Sequence, residues 1–188
     1  ALEEAEIRVS CLGTNIANWG TSVESPFEET LAMLERALPR ARNLKTAYAR
    51  IMSYQVRTDR NGAVLPDQME EERFRRLRIV CNTLLENGIT PVHENCFNYG
   101  GMSWKHTQQL LEEVPGLRLA FDTGNPPLQY DYSQNEESQL QSSWEFYQNV
   151  KSAIAYVHIK DAVLEQETGK EHYHFPGQGE GTVRRIVG

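Results

Sequence analysis

Leu117-Arg-Leu-Ala-Phe-Asp122, followed at once by Thr-Gly-Asn125, is a short apolar run that closes on a carboxylate and a turn. Alternation along a strand puts Asp122 on the face of Ala120, opposite Leu119 and Phe121. The same design recurs on both sides. Ile89-Thr-Pro-Val-His-Glu94 runs into Asn95, and Ala153-Ile-Ala-Tyr-Val-His-Ile159 runs into Lys160-Asp161. Helical spacing fills the gaps: Phe74, Leu77, Cys81 and Leu84 precede the stop at Asn87-Gly88. Ser103 caps a stretch carrying Trp104, Leu111 and Val114 that ends at Pro115-Gly116, and Leu140, Trp144, Tyr147 and Val150 mark another helix.

Farther upstream, Ile7 to Gly13 is a first strand, and Ser25-Pro26-Phe27-Glu28 has the form of a capping box with proline at the first helical position. Phe27, Leu31, Leu34 and Leu38 form a one-face stripe until Pro39 disturbs it, and Ala47 to Val56 is a second strand. Thr182 to Val187 opens a last helix. Five strands alternating with helices, without a linker or a break in composition, predict βα units on a parallel sheet in one domain, 1–188. Such a series makes a doubly wound sheet or an eight-stranded barrel, and a complete barrel usually takes about 250 residues.

The polar residues gather where strands end. In either architecture the ligand site lies at that edge, so Glu94, Asp122 and His158 are expected to converge although 28 and 36 residues separate them. Tyr156, His158 and Lys160 share one strand face. A Glu, an Asp and a His make a mixed oxygen and nitrogen set suited to Mn²⁺, Zn²⁺, Co²⁺ or Mg²⁺, with positions open to substrate and water. Each residue has a plainer reading as a helix cap or a partner for loop backbone; three at equivalent strand ends favour the metal. His93 reads as packed or hydrogen-bonded rather than a ligand. Gly177-Gln-Gly-Glu-Gly181 resembles an anion loop but lacks the Gly-Lys-Ser/Thr ending of a P-loop, and suits a flexible loop that turns Glu180 inward. His172 and His174 offer two imidazoles on one face.

Lys and Arg total 19 against 26 Asp and Glu, a net charge of −7, with 39% hydrophobic and 24% charged residues. That is an ordinary globular composition. Its acidity gives it no electrostatic hold on nucleic acid, and Arg73, Arg75, Arg76 and Arg78 read as a solvated helix face. No run approaches a membrane span, and Ala1 to Glu6 lacks the features of a signal peptide. Cys11, Cys81 and Cys96 include no CxxC pair, as expected for reduced thiols in cytoplasm.

With Glu94 in PVHEN, Asp122 in FDTGN, His158 in YVHIKD and the GQGEG loop, the sequence resembles the xylose isomerase-like barrel superfamily, in its sugar phosphate isomerase/epimerase branch. The resemblance implies a (β/α)8 TIM barrel, an α/β fold, with a divalent metal held at its C-terminal mouth by Glu94, Asp122 and His158. It implies proton abstraction alpha to a carbonyl through an enediolate. Glu94 is then ligand and acid/base, Lys160 a donor to substrate oxygens, and Asn125 and Glu180 substrate contacts. The expected partner is a small-molecule carbohydrate, with no nucleic acid or membrane and a homo-oligomer left open.

Members usually have two βα units before the segment matching Ile7, and a helix, a last strand and a final helix after the GEG loop. The five strands thus correspond to the third to seventh of eight, and the fourth metal ligand, a glutamate, is expected on a segment absent here. The expectation is a fragment of a longer chain, a truncated one, or a barrel completed by a partner. Rival readings are a dehydratase or lyase on the same scaffold, a DNA-repair endonuclease, which needs more histidines and a basic groove, and a noncatalytic sugar-binding protein.

Overall fold

The computed structural model describes residues 4–133 and 139–188; the first three residues of the Ala1–Glu6 stretch lie outside them. The chain divides into two compact units, Ala1–His93 with Glu113–Arg118, and Glu94–Glu112 with Leu119–Gly188.

The first unit holds β1 (Cys11–Gly13), α1 (Phe27–Leu44), β2 (Tyr48–Ile51), α2 (Glu70–Glu86) and β3 (Thr90–Glu94) up to His93. The strands are parallel in the order β1, β2, β3, with Cys11 opposite Tyr48 and Tyr48 opposite Thr90. Both early strands are shorter than the sequence predicts. Ile7 is exposed, and beyond Ile51 the chain leaves the extended region, reaching a φ of 65° at buried Tyr54.

Helix α1 corrects three expectations. It runs through Pro39 to Leu44, its N-cap is Pro26 with no side-chain cap bond, and its buried residues are Thr30, Leu34, Ala37 and Ala41. Leu34 of the expected stripe is buried, but Thr30, Ala37 and Ala41, not the bulkier Leu31 and Leu38, complete the inward face. The Ser25 carbonyl instead accepts from Arg76 Nη1 at 2.7 Å.

Two of the four arginines of α2 are a fourth correction, whereas the side chains of Arg75 and Arg78 are 50% and 40% exposed. Arg73 is 0% exposed, and Arg76 is also buried. Arg73 donates to the carbonyls of Ser53, Gln55 and Gln68, and Arg76 to Glu72 at 2.6 Å. Buried cations persist when their donors are engaged; here main-chain carbonyls at Ser53, Gln55 and Gln68 engage Arg73, and Glu72 with the Ser25 carbonyl engages Arg76. The α2 stop is as expected, with Asn87 at the C-cap and Gly88 at φ 72°.

The second unit contains most of α3 (Trp104–Glu113) and β4 (Arg118–Asp122), then α4 (Ser143–Val150), β5 (Ile154–His158), β6 (Ala162–Glu165), β7 (Lys170–Tyr173) and α5 (Val183–Val187). Ser103 Oγ accepts from the His106 N–H at 3.2 Å, fulfilling its predicted cap, while Ser142 caps α4. Strands β4 and β5 are parallel, with Asp122 opposite His158. The outer residues of β4, Leu119 and Phe121, pack with Phe146 and Val150 of α4. The sequence reading missed the antiparallel hairpin β6–β7, whose second strand, Lys-Glu-His-Tyr, carries little apolar signal.

Candidate metal centre

Glu94, Asp122 and His158 are the last residues of β3, β4 and β5. All three belong to the second unit. His158 Nδ1 lies 3.4 Å from Glu94 Oε1 and 4.0 Å from Asp122 Oδ2. One potential ligand atom from each residue falls within 4.8 Å of the others, where two ligands sharing a tetrahedral metal with bonds of about 2.1 Å stand roughly 3.4 Å apart. Glu94 is 7% and Asp122 5% exposed, while His158 is half-buried. Two buried carboxylates facing an imidazole suit a divalent cation, whose charge offsets the cost of burying both.

Backbone bonds hold the trio. The Asn95 amide reads the Asp122 main chain on both sides, accepting from its N–H at 2.7 Å and donating to its carbonyl at 3.1 Å. Asn98 Nδ2 donates to the Glu94 carbonyl at 3.2 Å. Asp122 Oδ1 accepts from the Gly124 N–H at 2.8 Å. Burial pushes the Asp122 carboxyl above its ordinary range; Lys160 and the Gly124 N–H oppose this, and Glu94 adds to it.

Lys160 and Asn125 join the trio. Lys160 Nζ lies 3.7 Å from Asp122 Oδ1 and donates to Asn125 Oδ1 at 2.5 Å, beneath the Tyr173 ring. His93 is buried, with Nε2 3.0 Å from Ser53 Oγ, and His172 pairs with Glu165 at 3.6 Å. Neither belongs to the trio.

The glycine-rich segment differs from the expected anion loop because its anion is built in. Asp161 Oδ2 accepts from the N–H groups of Gly177 and Gly179 at 2.7 and 3.0 Å, and Oδ1 from Gly181 at 2.7 Å. Burial alone would raise this carboxyl, but the N–H groups of Gly179, Gly181, Gly177 and Gln178 together hold it below the ordinary value. A Cβ at Gly179 would stand 2.6 Å from Asp161 Oδ1, which explains the bare residue. Glu180 is exposed rather than turned inward, and its N–H donates to the Ala162 carbonyl at 3.1 Å. Sequence reasoning missed Asn95 and Asp161 as organisers, although both adjoin the strand-end motifs.

A family model described as a xylose isomerase-like TIM barrel matches residues 1–186. The chain belongs to this family. Its members' fold is the one the resemblance implied, and five parallel βα strands are present among the described residues. Among solved structures, a xylose isomerase-like TIM barrel protein from Mycobacterium smegmatis in complex with magnesium superposes with a TM-score of 0.72 at 17% identity, over 99% of this chain and 63% of that one. A probable 3-DHS dehydratase from Bacillus anthracis gives 0.63 at 18%, over 86% and 53%. An L-ribulose 3-epimerase gives 0.61 at 16%, over 85% and 52%. The chain thus spans between about half and two-thirds of these relatives, and at such identities the likeness establishes the fold alone. No curated protein matches it in sequence. No helix among the described residues is long and apolar enough to cross a membrane.

Proposed function

We propose that the protein is a divalent-metal-dependent isomerase or epimerase of a sugar or sugar phosphate. The observation that carries this is the convergence of Glu94, Asp122 and His158 at three successive strand ends, with the Lys160 ammonium 3.7 Å from Asp122. Glu94, Asp122 and His158 would hold Mn²⁺, Zn²⁺, Co²⁺ or Mg²⁺. When bound, the cation supplies Lewis acidity and a template for substrate oxygens. Glu94 takes the proton from the carbon alpha to the carbonyl and returns it, the role of a positioned general base and acid. Lys160 donates to the oxygen on which negative charge develops. Asn125, already paired with Lys160, orients a substrate hydroxyl.

The test has two parts. Calorimetry with Mn²⁺ is expected to give about one site per chain, removed by Asp122→Asn; a wild-type protein without stoichiometric metal ends the proposal. Incubation with ketoses in deuterated water is expected to exchange the alpha proton and yield an epimer or isomer. The structural likeness to a probable dehydratase supports a second reading, because the same abstraction can end in loss of a β-hydroxyl. A dehydrated product would select it.

A further inference from the structure

The Lys160 side chain is laid across a glycine. A Cβ added at Gly124 would stand 2.9 Å from both Cγ and Cε of Lys160, and 2.9 Å from its carbonyl carbon. Gly124 has no positive φ to explain the missing side chain. The Lys160 backbone is fixed independently: its N–H donates to Thr123 Oγ1 at 3.0 Å, and its carbonyl accepts from the same hydroxyl at 2.6 Å. What remains free is the aliphatic stem. Its floor is Gly124, the Tyr173 ring lies 5.8 Å from the ammonium, and the head ends between Asn125 Oδ1 and Asp122 Oδ1.

The geometry points to Gly124 as a positioning residue that acts through Lys160: its bare Cα holds the ammonium against Asp122 as a fixed positive charge beside the ligand trio. The inference rests on the trio's reading as a cation site only for its consequence there. A fixed ammonium next to a ligand carboxylate opposes capture of a second positive charge, by Coulomb repulsion that is strong over a few ångströms in a partly buried site. The cation is therefore held more loosely than the three ligands alone would hold it. In return, a hydrogen-bond donor already stands beside the bound substrate and need not be recruited.

A double-mutant cycle read by Mn²⁺ affinity tests this. Lys160→Ala is expected to tighten Mn²⁺ binding by about tenfold or more. Gly124→Ala, whose methyl drives the stem off its floor, is expected to tighten binding clearly when Lys160 is present and by much less when position 160 is alanine, where only the contact with the residue-160 carbonyl carbon remains. An equal effect of Gly124→Ala in both backgrounds, as a purely structural role would give, overturns the inference, and so does an unchanged affinity in Lys160→Ala. If Gly124→Ala does not fold, Asn125→Ala, which removes the acceptor of the ammonium, replaces it in the same cycle. If the wild type takes up no Mn²⁺, the cation site fails, and NMR of ¹⁵N-lysine decides the positioning role separately. A slowly exchanging Lys160 ammonium signal that Gly124→Ala or Asn125→Ala abolishes supports it. A signal missing from the wild type, or surviving both substitutions, refutes it.

Discussion

The Asp161 carboxylate gathers three glycine N–H groups that would otherwise need water or a ligand. Its carboxyl lies below the ordinary 3.8 in the folded protein, because the glycine donors outweigh burial. A depressed folded value means that the stabilisation is present above the unfolded value and is lost as pH falls through the folded one. Asp161→Asn is therefore expected to cost about 2–3 kcal/mol at neutral pH. The gap between the two proteins' stabilities should shrink as pH falls below about 4; denaturant melts at pH 7 and pH 3 check it, and a constant gap counts against the charge. The trio was legible in the sequence because each member ends an apolar run. The role of Asp161 was not, because its donors are backbone groups 16 to 20 residues away and a glycine pattern alone does not say which anion it holds.

Among the elements, α1 carries the clearest internal conflict. Pro39 lies inside it, exposed, without the N–H that would reach the Glu35 carbonyl one turn back. Pro39→Ala is expected to stabilise the protein by about 1–2 kcal/mol, the restored bond exceeding the entropy returned to the unfolded chain. A lower denaturant midpoint would mean instead that the packing of α1 uses the kink. Helix α2 and strands β3 to β5 could be read from spacing and turn residues because their inward faces are large and apolar. The buried stripe of α1 shares Leu34 with the expected one but otherwise contains two alanines and a threonine, so size-based periodicity set the face slightly off its true line. Hairpin β6–β7 was hidden for the opposite reason: it exposes most of Lys170–Tyr173 and leaves no alternation to detect. Arg73 and Arg76 looked solvated because carbonyl acceptors do not announce themselves in sequence as carboxylates do.

At the scale of the whole molecule, the three residues proposed to hold a cation all belong to one unit although they span residues 94 to 158. A ligand that binds only the folded state stabilises it by mass action, about 2.7 kcal/mol at a hundredfold excess over Kd. Mn²⁺ is therefore expected to slow amide exchange chiefly in Glu94–Glu112 and Leu119–Gly188. Hydrogen-exchange mass spectrometry with and without the ion reads this directly, and protection confined to Ala1–His93 would contradict the assigned ligands. Chain topology was legible at this scale because βα units repeat; the division into two units was not, since no composition change marks it. The three cysteine thiols add a practical consequence. Burial pushes the Cys81 thiol up to about 12, and Cys96 is also buried, whereas Cys11 on β1 is half-exposed. Thiolate is the reacting species, so a maleimide dye meets one accessible thiol in the native protein. That gives a fluorescent reporter in the unit that lacks the trio, attached without engineering a new cysteine.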